Sequence, residues 1–492
     1  MKKIIIAILA GIAFSAQAQK NVLLEQSFWQ GKPDVAQVKA EVEKGNSPSQ
    51  FNSTSFDPVV MAINAQAPNE TIKYLLSQPG NDVNKITHDS RIYLHWAANR
   101  GNVDIMEYLI AKGSKANVED SHGMTVLNFA AGSGQPNTQV YELCLQNGAD
   151  LKKDLNHDGA NALLIAIAND KDLKLTDYFV SKGLDLKSTD AAGNNAFSYA
   201  ARGGNINILK ALLQRGVPVN DNAIIMASQG GRQGANSIEV FQYLESLNIK
   251  PTATNKAGEN VLHALVRRPK QNEIIQYFLA KGVDVNQADE EGNTAFLNAA
   301  AANRDITVLE MLQPNVKNIN QTNQKGATAL ALAVRGNSPE VVGYLLTKGA
   351  DVKVTDKNGD NLAAYLVQSY AGSGPRADEF DAKLKLIQEK GLDMKAAQKN
   401  GNTLYHLAVA KNDLSLVKRL EPLQIDVNSK NKEGITALHK AAMVSKDDAM
   451  LKYLLSIGAK KDIPTNFKET AFDLASENES LAKNNVSVNF LK

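Results

Sequence analysis

Seven histidines and one cysteine are the residues of this chain best suited to acid–base, nucleophilic or metal chemistry. The histidines are His88, His95, His122, His157, His263, His406 and His439. None belongs to an H-E-x-x-H pair, and there is no C-x-x-C, no G-x-S-x-G and no Gly-rich loop ending in G-K-[ST]. "NHDGAN" from Asn156 and "DKNGDN" from Asp356 begin like calcium loops but lack the Glu six residues after the Gly. "QGGRQGAN", residues 229–236, is glycine-rich without a preceding strand or the Lys of a phosphate loop, and reads as an expanded connection. Cys144 sits in a Leu-rich slot and reads as a small buried hydrophobe. The expectation is a chain that is not an enzyme and carries no cofactor or metal.

What, then, positions the histidines? In "NKEGITALHKAAMVSKDDAMLKYLLSIGAKKD", residues 431–462, Gly434 suits a tight turn with positive φ, and Thr436 suits a helix N-cap. Leu438 supplies apolar area, and Ala441 and Ala442 are small enough for a neighbouring helix to approach closely. "AMLKYLLSIG" then reads as a second helix with i, i+3, i+4 apolar spacing, closed by Gly458. Two such helices cannot hide their shared apolar face alone, so the unit must stack on copies of itself.

Copies are present. The turn glycines Gly123, Gly159, Gly193, Gly258, Gly292, Gly326, Gly359, Gly401 and Gly434 are 33 to 36 residues apart, except for one gap of 65 that hides a degenerate unit and one of 42 that holds an insertion. His95, His263 and His406 fall in the slot of His439, whereas other units place Asn128, Leu164, Ser198, Leu297, Ala331 or Ala364 there. A residue so freely replaced is structural. The slot after it holds Met61, Trp96, Phe129, Ile165, Tyr199, Leu332, Tyr365 and Leu407, an apolar stripe expected to pack between units.

A period near 33 with a T-x-L-H-x-A core resembles the ankyrin repeat, over nearly the whole chain after its first eighteen residues. The resemblance implies an all-α repeat solenoid of helix-turn-helix units joined by β-hairpin-like turns. It also implies that the recurring His ties adjacent turns together. On this basis residues 19–51, after a leader read below at 1–18, are a helical N-terminal cap. About twelve repeats fill 52–464, with 221–254 degenerate and 356–397 carrying an insertion at 369–381. Residues 465–492 form a capping repeat with a shortened, polar second helix.

In ankyrin proteins the two positions after the Ala-Ala pair tend to face a concave groove. Here they include Arg100, Arg202, Arg267, Arg268, Arg335 and Lys411, and the turn tips add Lys325, Lys357, Lys399 and Lys432. Guanidinium groups bind carboxylates or phosphates in a bidentate manner, so a row of them favours an acidic partner. Glu290, Glu291 and Glu433 make the tip rim mixed in charge.

The first eighteen residues, "MKKIIIAILAGIAFSAQA", have the basic start, short apolar run and A-x-A ending of a cleaved secretory leader, similar to those of Bacteroidota-like bacteria. An exported chain is therefore expected, periplasmic first and secreted second. Losing Lys2 and Lys3 takes the formal charge from +2 to 0, so neither nucleic acid nor a membrane surface is an expected partner. No later run is long enough to span a membrane, and one cysteine permits no internal disulfide. The combined expectation is a monomeric, non-enzymatic scaffold that binds a folded partner protein through its concave face and hairpin tips, as accessory factor or inhibitor of an exported enzyme. The alternatives are a secreted effector or toxin-immunity protein, and then an envelope spacer.

Overall fold

The computed structural model describes residues 20–231, 234–372 and 377–492, so the leader expected at 1–18 and parts of both expanded loops lie outside the described residues. The chain divides into two compact units, one ending at Val219 and the other running from Asn220 to Lys492. Each is a stack of antiparallel helix pairs.

In the first unit Asp34 caps the helix Val35–Glu43 in a reciprocal box with Gln37, and Trp29 is buried with its indole N–H on the Leu23 carbonyl at 2.9 Å. Five pairs follow, with first helices Pro58–Asn64, Tyr93–Asn99, Val126–Gly132, Ala162–Ile167 and Ala196–Gly203. Each first helix packs on the first helix of the next pair. The rings of Phe56, Trp96 and Phe129 continue this contact edge to face, at 5.5 and 5.6 Å between centroids.

The second unit has first helices Ala223–Gln229, Val261–Leu265, Ala295–Ala302, Ala329–Gly336, Leu362–Ser369, Leu404–Ala410, Ala437–Val444 and Ala471–Ser476, stacked in that order. Fully buried alanines such as Ala299, Ala300, Ala333, Ala441 and Ala442 permit the close approach. Most of the apolar stripe is core: Trp96, Ile165, Tyr199, Leu332 and Tyr365 are buried, whereas Met61, Phe129 and Leu407 are half-buried. Cys144 is buried as well, and burial pushes its thiol up to about 12, which leaves no thiolate at neutral pH.

The fold is an all-α repeat solenoid, and among the described residues the turns contribute only isolated β-bridges such as Thr322 to Thr328 and Thr355 to Asn361. At most tips an Asx or Thr side chain closes the turn, whereas Gln398 bonds Asn361 of the preceding repeat instead. Asp356 Oδ1, for example, accepts the N–H groups of Asn358 and Asp360, both at 2.9 Å. Successive tips are joined by single backbone bonds, such as Lys357 N–H to the Lys325 carbonyl at 3.0 Å. Gly326 has φ 80°, and a Cβ there would lie 2.7 Å from the Lys357 nitrogen, so both conformation and proximity require glycine.

The histidine slot is a joint. In His406, Nδ1 accepts the Thr403 N–H at 3.1 Å, which leaves the proton on Nε2 to bond the Ile435 carbonyl of the next repeat at 2.8 Å. His263 does the same between Asn260 and Asn293, and His95 between Ile92 and Met124. His439 keeps the first bond, from Thr436 N–H at 3.1 Å.

One sequence expectation needs correction. The expansion at 369–381 is not loop throughout, because residues from Ala377 onward belong to the helix Ala377–Glu389, longer than its neighbours. Its first turns act as a staple. Glu379 receives both terminal nitrogens of Arg304, at 2.9 and 3.1 Å, across 75 residues of sequence, and Asp381 pairs with Arg419. Phe380 is buried against Tyr370, and the buried Lys383 ammonium reaches the carbonyls of Val334 and Asn337 at 3.0 and 3.1 Å.

Candidate functional site

The first helices Ala295–Ala302, Ala329–Gly336 and Leu362–Ser369 and the turns before them frame a groove of about 630 Å³ in the second unit. Four of the cations expected from sequence meet there: Arg267, Arg335, Lys325 and Lys357, all exposed. Arg267 and Arg335 occupy the same slot two repeats apart, and the repeat between them offers only Ala301 and Ala302. Those methyl groups give the groove its depth.

Its polar floor was not foreseen. Asn298 is 4% exposed, its side-chain oxygen accepts Arg267 Nη2 at 2.8 Å, and Asn293 and Asn323 bond to each other at 3.0 Å. The Arg335 guanidinium carbon lies 5.8 Å from the centre of the Tyr365 ring, which steadies the cation on an aromatic face.

Three carboxylates share the groove, those of Glu291, Asp356 and Asp360, and the first two are engaged locally. Asp356 Oδ1 holds its own turn while Oδ2 accepts the Tyr365 hydroxyl at 3.0 Å. Glu291 accepts the Asn293 amide at 3.3 Å. Burial, with Asp356 nearby, raises the Asp360 pKa above the usual carboxylate range. The ion pairs of this unit are Lys281–Glu245, Arg304–Glu379, Arg419–Asp381, Lys385–Glu389 and Lys452–Asp448 among the described residues; none uses the four groove cations.

The other expected residues lie elsewhere. Arg100 and Arg202 belong to the first unit, where Arg100 Nε reaches Asn64 at 3.2 Å and Arg202 is in the last turn of its helix. Arg268 bonds the Gly231 carbonyl at 2.7 Å, at the edge of the glycine-rich connection. Lys399 and Lys432 are exposed on later tips, outside this groove.

Lys411 has a different task from the one its slot implied. Its ammonium donates to the carbonyls of Val367, Gln368 and Tyr370 at 3.0, 3.1 and 2.9 Å, closing the end of the preceding repeat's first helix. Burial lowers its pKa, opposed by Asp413. Elsewhere an asparagine does this work: Asn337 bonds the carbonyls of Ala300 and Asn303, and Asn478 those of Ala442 and Ser445. Around the insertion, Lys383 and Lys411 stand in for the amide.

A stack of turn-linked helix pairs whose first helices and tips line a polar groove defines a repeat scaffold. A model described as ankyrin repeats (3 copies) matches residues 59–154, 130–223, 224–323, 262–356, 380–465 and 405–488, and the chain belongs to the ankyrin-repeat family. It is 22% identical over 432 residues to the transient receptor potential cation channel subfamily A member 1 of Homo sapiens, which covers 87% of this chain and 32% of the channel. It is 25% identical over 338 residues to alpha-latroinsectotoxin-Lt1a of Latrodectus tredecimguttatus, covering 63% of this chain and 23% of the toxin. Similarity to the phosphocholine transferase AnkX of Legionella pneumophila is 27% over 223 residues, 44% of this chain and 22% of that enzyme. The chain thus spans a third or less of the length of these relatives.

The repeat fold is a non-catalytic scaffold of the kind used for protein–protein interaction. Among the described residues no three His, Cys, Asp or Glu side chains gather so as to hold a metal ion, and no helix is long and apolar enough to cross a membrane.

Proposed function

We propose that this protein is an exported, monomeric scaffold that holds an acidic partner protein on the groove of its second unit, as an accessory factor or inhibitor of an exported enzyme. The observation that carries the reading is the asymmetry of the groove. Two of its three carboxylates, those of Asp356 and Glu291, are engaged locally, whereas Arg267, Arg335, Lys325 and Lys357 pair with no carboxylate among the described residues. A rigid stack presents these cations with little ordering cost on binding, and cationic surfaces favour acidic partners in encounter and register. The leader-like residues 1–18 support export. Lys399 and Lys432 extend the basic tips beyond the groove.

The test is affinity capture from the exported fractions of the producing organism, using the parent and a variant with Arg267, Lys325, Arg335 and Lys357 changed to Glu. A soluble acidic protein retained by the parent and lost by an equally helical variant supports the reading. Equal retention by both rejects the groove.

A second reading, a secreted effector or toxin-immunity protein, draws on the similarity to a protein named as a toxin. A toxin gene adjacent to this one would favour it over the accessory role.

A further inference from the structure

Resting on the reading that this groove receives an acidic partner, we infer that what enters it is an extended segment of that partner bearing two carboxylates six residues apart. The spacing follows from the architecture. Arg267 and Arg335 are equivalent side chains on repeats separated by one intervening repeat, whose first helix Ala295–Ala302 packs against both neighbours. Packed helices lie roughly 8–10 Å apart, so the two guanidinium groups are anchored roughly 16–20 Å from one another. An extended chain advances about 3.3 Å per residue, which makes that distance about five or six residues.

Parity then decides. Side chains of an extended chain alternate between faces, so only an even separation points both carboxylates at the same wall. Four residues cover about 13 Å and fall short; six cover about 20 Å.

The middle of the groove suits an extended backbone. At the slot between the arginines, Ala301 and Ala302 leave room for main chain to lie close, above a floor made polar by Asn293, Asn298 and Asn323. A nucleic acid strand fits less well, because it repeats its charge several times over the distance between the two arginines.

The test is fluorescence anisotropy at low ionic strength with labelled synthetic peptides of about twelve otherwise uncharged residues. One carries two aspartates six positions apart, one carries them three apart, and one has both replaced by asparagine. The full chain, Arg267→Ala and Arg335→Ala are each titrated. The six-spaced peptide is expected to bind the parent about fivefold more tightly than the three-spaced one, because only it engages both arginines at once. That advantage should vanish in each single variant, with helicity unchanged.

Equal affinity for the two spacings overturns the inference, as does retention of the preference in both variants. Tighter binding of a single-stranded oligothymidylate than of the six-spaced peptide also overturns it. If the charge-reversed variant loses a captured partner while the peptides show no spacing preference, the groove binds a folded acidic surface and only this inference fails. If capture is also unaffected, the groove reading fails with it.

Discussion

Exchanging His95 for asparagine should make the first unit less sensitive to acid. His95 is fully buried, with Nδ1 accepting the Ile92 N–H and Nε2 facing the Met124 carbonyl, both at 3.3 Å. Burial pushes its pKa from 6.5 down to about 4, with Arg91 contributing in the same direction and the Met124 carbonyl opposing. The folded state therefore favours the neutral ring. Its stability is complete above the unfolded value and is lost as pH falls from there through the folded value. The whole window is worth about 3 kcal/mol, of which about 2 kcal/mol has gone by pH 5. Asparagine is a suitable replacement because Asn128 fills the same slot one repeat later and bonds the Asp154 carbonyl at 2.9 Å.

The assay is urea unfolding followed by tryptophan fluorescence at about pH 7.5 and about pH 5. Both tryptophans of the chain, Trp29 and Trp96, are in the first unit, so the signal reports that unit alone. Between the two pH values the parent should lose about 2 kcal/mol more than His95→Asn. Equal losses would refute the claim that this histidine is held neutral by burial.

Three further outcomes follow from the joints between repeats. Lys383→Met, which strands the carbonyls of Val334 and Asn337 in a buried site, should cost about 2 kcal/mol in urea unfolding followed by circular dichroism. Lys411→Met should cost about 1 kcal/mol in the same experiment and leave partner capture intact, because its end of the helix is open to water. Gly326→Ala should destabilise by about 1–2 kcal/mol, seen as a lower Tm, since the residue has φ 80° and abuts the next tip.

The period, the turn glycines and the helix pairs were readable because each obeys a local rule: a positive φ at Gly434, a cap at Thr436, i, i+3, i+4 spacing after it. The histidine joint was readable because it recurs, and its variability marked it as structural. Long-range bonds between repeats were not. An amide such as Asn337 Nδ2 meets carbonyls 34 and 37 residues away, and nothing near it in sequence distinguishes it from a surface asparagine. Lys411 misled for the same reason: its position past the first helix matches that of the arginines, but the inserted residues before it leave the preceding helix end to be closed by a lysine. The Arg304–Glu379 pair spans 75 residues and required the fold. Within the groove, Arg267, Arg335, Lys325 and Lys357 were readable by slot, whereas Asn298 stands in the apolar stripe and lacked any periodic signal.

Everything above turns on a partner protein being held in the groove of the second unit. The most direct test of this is photo-crosslinking from a photoactivatable residue placed at Ala302, exposed in the groove, compared with one at Gln276, exposed on the second helix Asn272–Ala280. A single acidic partner crosslinked from position 302, and none from position 276, is the expected outcome. Crosslinking from 276 with none from 302 would place the partner on the other face and contradict it.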